Sequence, residues 1–354
     1  MPRNLVGLLD KKQVTSSQIH EAPYLVRAIF KKGEIGLFSN RVTSCVEMAK
    51  KKRRYVAGLA QLDFQPSYDW EIEEAEQLYT DVQHSIPTEE IHYRDCVVGM
   101  QSLPDRCIDL VIADPPFGID FSGKEAQYNR KSEFVAEGYS EITEDYDKFT
   151  DDWVNELPRI MKETASAYIF SGWTNLSDLL VAVDKSPLTL INHIIWKYQF
   201  GVFTKKKYVT SHYHCLYVVK NPKKYFFNKI EHYPLDVWDI PRKYIPGQRK
   251  NGTKLPEDVI IRALDFSSRP GDLIFDPFMG NGTTAVCARL TYRHYFGFEI
   301  NTQMRDIIND NLATVTLGAR YQAYHTLLPT PEELARKYPG VRRKLETNKT
   351  PENQ

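Results

Sequence analysis

Asp114-Pro115-Pro116-Phe117 closes an apolar run that extends from Ile108 to Ala113. At the end of a buried strand these four residues suit attack by the amino nitrogen of a planar base on an electrophilic carbon. Such a nitrogen is a poor nucleophile because its lone pair is delocalised into the ring, so it has to be turned toward tetrahedral geometry. The Asp114 carboxylate can accept one of its N–H bonds and the Pro115 carbonyl the other; acceptors fixed in advance act by preorganisation. Two consecutive prolines have locked φ angles and no N–H, which holds the carbonyls of Pro115 and Pro116 still. Phe117 offers a flat face for stacking on a base taken out of its helix. Taken alone, the tetrapeptide also reads as a tight strand-terminating turn, which Asp and Pro favour.

The second constellation is Asp272-Leu273-Ile274-Phe275-Asp276-Pro277-Phe278-Met279-Gly280-Asn281-Gly282-Thr283-Thr284, a strand, a glycine turn and a helix start. Gly280 and Gly282 let the backbone bend tightly against a ligand, with Thr283 opening the helix behind them. Glu299 follows Asp276 at about the interval at which a Rossmann-type sheet presents an acid to a ribose. A dinucleotide site would read G-x-G-x-x-G, whereas here the third position is Ala285, a substitution such sites sometimes accept. A nicotinamide-dependent oxidoreductase therefore stays as an alternative, as does a plain strand-turn-helix. Asp276 and Phe278 suit better a cationic ligand without a pyrophosphate, such as S-adenosyl-L-methionine.

These residues need a scaffold that brings them together. Short apolar runs at Ile108–Ala113, Ala167–Phe170, Ile191–Trp196, Leu216–Val219, Leu273–Phe275 and Tyr295–Phe298 alternate with helical stretches. Near-continuous hydrophobic strands of this kind predict an α/β sheet with helices on both faces. Ligands of such sheets lie beyond the carboxyl ends of the strands, where both polar motifs fall. Residues 1–88 predict a helical accessory region, with the basic run Lys50–Arg54, an acidic stretch over 70–76 and a break at Ser85-Ile86-Pro87-Thr88. Residues 89–320 form the expected catalytic domain and 321–354 a C-terminal extension.

Composition excludes several classes. No apolar stretch approaches the roughly 20 residues of a membrane-spanning helix, and the polar start at Met1-Pro2-Arg3-Asn4 lacks a signal-peptide core, which predicts a cytoplasmic protein. The 5 scattered cysteines contain no C-x-x-C pair and make neither a disulfide framework nor a zinc cluster. His212 and His214 share one face of a strand, yet further zinc ligands are missing, so no metal is expected. Lys plus Arg equals Asp plus Glu at 46 each, so only local charge can speak for a polyanionic partner.

With both motifs in place, the chain resembles the amino-methyltransferases of DNA, in the β class whose catalytic motif precedes the cofactor motif. The likeness spans most of residues 91–313. It includes His92-Tyr93-Arg94-Asp95-Cys96, Ile194-Ile195-Trp196-Lys197, His214 to Lys220, Pro270 to Thr284 and Gly297-Phe298-Glu299-Ile300-Asn301. The resemblance implies a Rossmann-like, seven-stranded methyltransferase sheet in circularly permuted motif order. It implies S-adenosyl-L-methionine as cofactor, held by Asp95, Thr253, Asp276, Phe278, Gly280, Gly282, Thr283 and Glu299. A leading Asp tilts the target toward adenine N6, with cytosine N4 as the alternative and a catalytically silent DNA-binding subunit as the rival from another class. The chain departs from the family at Asn251-Gly252-Thr253-Lys254-Leu255-Pro256, where a His and a Lys are usual, at Phe117 in place of the commoner Tyr, and at Asn281 in place of a frequent Ser.

The implied partner is double-stranded DNA, with a homodimer and a cognate restriction nuclease as further partners the resemblance admits. Lys205, Lys206, Lys207 and Tyr208, with Arg242, Lys243 and Tyr244, put positive charge and aromatics into a 200–250 interval that suits target recognition. A solvated lysine loop would look the same. The polar stretch Gly118–Asp152 reads as a loop able to close over a flipped base, or as a simple insertion.

Overall fold

The computed structural model describes residues 68–116, 145–199, 201, 204–231, 233–242, 254–337, 339–340 and 342. The chain divides into two compact units, one of Gln65–Leu334 and one of Met1–Phe64 with Ala335–Gln354. Of the expected features, most of the accessory region with Lys50–Arg54, Phe117, residues 118–144, Lys243, Tyr244 and Thr253 lie outside the described residues.

The Gln65–Leu334 unit is an α/β structure. Its strands are β1 (Glu90–His92), β2 (Ile108–Ala113), β3 (Met161–Ser171), β4 (Thr189–Lys197), β5 (His212–Val219), β6 (Val237–Asp239), β7 (Leu273–Asp276) and β8 (His294–Phe298). They form one sheet in the order β1-β8-β7-β2-β3-β5-β4-β6. Among these strands β5 runs antiparallel to its neighbours β3 and β4, and every other pairing is parallel.

The apolar runs become central strands because both of their faces are covered. In β2, Val111 and Ala113 join one core cluster while Leu110 and Ile112 join the other. The first cluster is closed by Trp153, Val154, Leu157 and Ile160 of α3 (Tyr146–Ile160) and by Leu179, Ala182 and Val183 of α4 (Leu176–Lys185). Short α2 (Cys96–Gln101) adds Met100 on that side. The second is closed by α5 (Glu257–Ser267), α6 (Thr283–Leu290) and α7 (Met304–Ala313) through Val259, Leu264, Ala285, Cys287 and Ile308.

The sheet has eight strands among the described residues, where the resemblance implies seven. The additional one is β6, which pairs Val237 with Ile195, Trp238 with Trp196 and Asp239 with Lys197 at the β4 edge. Only Trp238 of its three residues is buried, so no apolar run marks it in the sequence. Residues 68–88 also pack with the sheet. In α1 (Ile72–Asp81), which precedes β1, Ala75 is buried with Tyr292 and Tyr321, and Tyr79 stacks on His294 at 4.1 Å. At the other end Tyr324 takes a hydrogen bond at 2.8 Å from the fully buried Arg293, which ties the segment after residue 320 to the same unit.

Candidate active site

Four neighbouring parallel strands, β1, β8, β7 and β2, lead at their carboxyl ends to Asp95, Glu299, Asp276 and Asp114. The chain leaves β2 for β3 on one side and leaves β7 for β8 on the other. The junction of β2 and β7, where Leu110 pairs with Ile274 and Val111 with Phe275, is therefore the topological switch point. In open α/β sheets ligands bind in the crevice at that point. Two motifs far apart in the chain thus flank one crevice because their strands are adjacent.

The cofactor-side turn is held by carboxylates. Asp276 accepts hydrogen bonds from the Phe278 amide at 2.8 Å and the Thr284 hydroxyl at 2.5 Å. It is buried, and that burial pushes its pKa up to about 7. Asp276 thereby shapes the turn from inside. Glu299 accepts the Gly280 amide on Oε2 and the Asn301 amide on Oε1, both at 2.7 Å. Burial raises its pKa, and the backbone donors of Asn301, Gly280 and Ile300 oppose that rise. The carboxylate keeps acceptor capacity for a further donor, which a ribose hydroxyl would supply.

Gly280 and Gly282 have φ of 53° and 76°, the left-handed region that glycine enters without strain. A Cβ at Gly282 would press on Ile308 at 3.0 Å, whereas one at Gly280 would meet nothing closer than the Phe278 oxygen at 3.7 Å. Gly280 therefore leaves its backbone open to close approach. At Gly297 a Cβ would lie 2.4 Å from the Asp276 oxygen, so glycine there lets β8 approach the turn. Thr283 is buried in the first turn of α6. Asp95 caps α2 through the Val98 amide at 2.9 Å and is exposed at the crevice end of the sheet.

On the β2 side Asp114 and Pro116 are half-buried and Pro115 is buried. The Asp114 charge reaches Cys215 of β5, adding to the burial that pushes this thiol well above its usual range. The Pro116 carbonyl accepts a hydrogen bond from the Tyr146 hydroxyl at 2.8 Å. Residues 146–152, expected in a polar loop, are the first turns of α3, because Phe149, Trp153, Val154 and Leu157 form its inward stripe. Phe149 and Trp153 pack on Phe278 with ring centroids 5.9 and 5.2 Å away. Tyr146 carries no sequence signal of its own, because its neighbours Asp145 and Asp147 are acidic and the apolar stripe begins only at Phe149.

The expected cationic residues separate. Lys205, Lys206 and Lys207 are exposed between β4 and β5, beside Tyr208, which is 99% exposed. Arg242 is not a free surface cation. Its guanidinium lies over the rings of Tyr198 at 4.3 Å and of Trp196 and Tyr213 at 4.9 Å, and its backbone exchanges hydrogen bonds with the Gln199 side chain at 2.8 and 2.9 Å. His193 and His214 share a hydrogen bond at 2.8 Å, and burial, with His193 and His212 nearby, lowers the His214 pKa to about 4. Among the described residues no group of three or more His, Cys, Asp or Glu is placed to hold a metal ion.

A Rossmann-like sheet with its ligand crevice at the switch point, a glycine turn on one side and an Asp-Pro-Pro turn on the other, defines a methyltransferase architecture. The family model described as DNA methylase, of the N6/N4 type, matches residues 108–310, and the chain belongs to this family of DNA amino-methyltransferases. It is 28% identical over 269 residues to the DNA adenine methyltransferase YhdJ of Escherichia coli (strain K12), covering 66% of this chain and 84% of that protein. It is 26% identical over 250 residues to the type II methyltransferase M.HinfI of Haemophilus influenzae, covering 62% and 67%. Among solved structures, the complex of M1.HpyAVI with SAM aligns over 63% of this chain and 98% of its own, at 18% identity and a TM-score of 0.49.

Proposed function

We propose that this DNA methylase transfers a methyl group from S-adenosyl-L-methionine to the exocyclic N6 of an adenine flipped out of double-stranded DNA, in the cytoplasm. The observation that carries the reading is the pairing of β2 with β7, by which the strand leading to Asp114 lies against the strand leading into the glycine turn. The crevice fits the cofactor. We read Glu299 as the acceptor of a ribose hydroxyl, Gly280 leaves open backbone, and Asp95 and Asp114 suit a ligand with sulfonium and ammonium charges.

When bound, the cofactor supplies a methyl carbon whose bond to sulfur breaks as the base nitrogen forms its new C–N bond. Asp114 accepts one N6–H and the Pro115 carbonyl the other, which turns the lone pair out of the ring plane. Asp114 also receives the proton that the methylated nitrogen sheds. Phe117 stacks on the extruded base, Asp95 meets the cofactor's adenine, and Lys205–Lys207 neutralise phosphates. The adenine assignment draws on the leading Asp of the motif and on the name of the relative YhdJ.

The test is incubation of the purified chain with DNA and methyl-labelled cofactor, followed by nucleoside analysis. N6-methyladenine is expected. N4-methylcytosine would overturn the choice of base, and absence of label in any nucleoside would overturn the activity and leave a silent DNA-binding subunit.

A further inference from the structure

We infer that Tyr146 is a positioning residue for methyl transfer, acting through the Pro116 carbonyl. The inference rests on the proposed activity. Pro115 and Pro116 have no N–H, so this turn cannot be pinned by its own donors at those positions. A donor must come from elsewhere, and the Tyr146 hydroxyl supplies one at 2.8 Å.

The same helix braces the opposite wall of the crevice. Tyr146 occupies the first position of α3, and Phe149 and Trp153, one and two turns on, pack against Phe278 of the glycine turn. Tyr146 and Phe149 also pack on each other, with ring centroids 5.8 Å apart. Trp153 is fully buried, so α3 is anchored in the core rather than resting on the surface. One rigid helix therefore fixes the catalytic turn and the cofactor turn relative to each other.

The hydroxyl itself forms and breaks no bond in the reaction, so its loss acts on geometry alone. Tyr146→Phe removes one oxygen and keeps the ring packed on Phe149. The expected result is a fall of about tenfold or more in the single-turnover transfer rate, with cofactor affinity and thermal midpoint unchanged. Placing 4-aminophenylalanine at position 146 returns an N–H donor of nearly the same shape and is expected to restore most of the rate. A purely structural role would shift the thermal midpoint or the cofactor affinity together with the rate, and that pattern would overturn the inference. So would a Tyr146→Phe rate equal to that of the unsubstituted chain. If the unsubstituted chain transfers no label, the activity fails and this inference with it; if it does and the variant matches it, only the inference fails.

Discussion

Glu299 and Gly280 are joined by a hydrogen bond at 2.7 Å from the glycine amide to the carboxylate, so the residue that follows β8 holds the turn that follows β7. The same carboxylate takes the Asn301 amide on its other oxygen. Glu299 thus fixes the cradle, and under the proposed function it also accepts a hydroxyl of the ligand. Glu299→Gln exchanges one acceptor oxygen for a donor, which sets an N–H against a backbone N–H or a ribose hydroxyl. Cofactor affinity is expected to fall by about tenfold or more, roughly 1.4 kcal/mol. Isothermal titration of the variant with S-adenosyl-L-methionine measures this, and an unchanged Kd would separate Glu299 from the cofactor.

Asp276 links stability to pH. Its pKa is raised by burial from 3.8 to about 7, so in the folded state it keeps a proton that the unfolded chain has already released at lower pH. Between those two values the folded state binds more protons, and stability falls as pH rises. The contribution is fully present below the unfolded value and is lost as pH passes through about 7. Asp276→Asn mimics the protonated side chain and removes this dependence. Asp265 and Asp272 are raised in the same direction, so the variant is compared with the parent chain at each pH. The difference in thermal midpoint should move in favour of the variant from about pH 5 to about pH 8; a constant difference would show that Asp276 is ionised throughout.

Lys205–Lys207 and Arg242 are expected to respond differently although the sequence presents them as one basic interval. Replacing the three exposed lysines by alanine should weaken DNA binding and flatten its salt dependence, by up to about 0.9 in log–log slope for each phosphate no longer neutralised, with no change in thermal midpoint. Arg242→Ala should instead destabilise the fold by about 1–2 kcal/mol, because the guanidinium no longer packs on Trp196, Tyr198 and Tyr213. Urea unfolding and DNA binding at several salt concentrations distinguish the two. A stability loss confined to the lysine variant would reverse the assignment.

That contrast shows where sequence reasoning reaches its limit. β2 and β7 are legible because strands covered on both faces must be apolar throughout, and the polar residues at their carboxyl ends, Asp114 and Asp276, then fall at a crevice by topology. β6 is not, because an edge strand of three residues buries only Trp238. Arg242 looks like its lysine neighbours because a cage of rings contributed by β4, the chain after it and β5 exists only after folding. Tyr146 is hidden for the same reason, since its partner is a backbone carbonyl 30 positions earlier. The place of Asp276 in its motif points to the ligand, while its two hydrogen bonds turn it toward the protein.

The central claim is that Asp114 acts on the base amino group at a crevice whose cofactor wall is built independently by β7 and β8. Asp114→Ala, assayed by single-turnover transfer of labelled methyl to DNA alongside titration with S-adenosyl-L-methionine, tests it most directly. Transfer should vanish while cofactor affinity stays within about twofold of the parent chain, well under the roughly 1.4 kcal/mol of a tenfold change. Methyl transfer by the variant at the parental rate would contradict it.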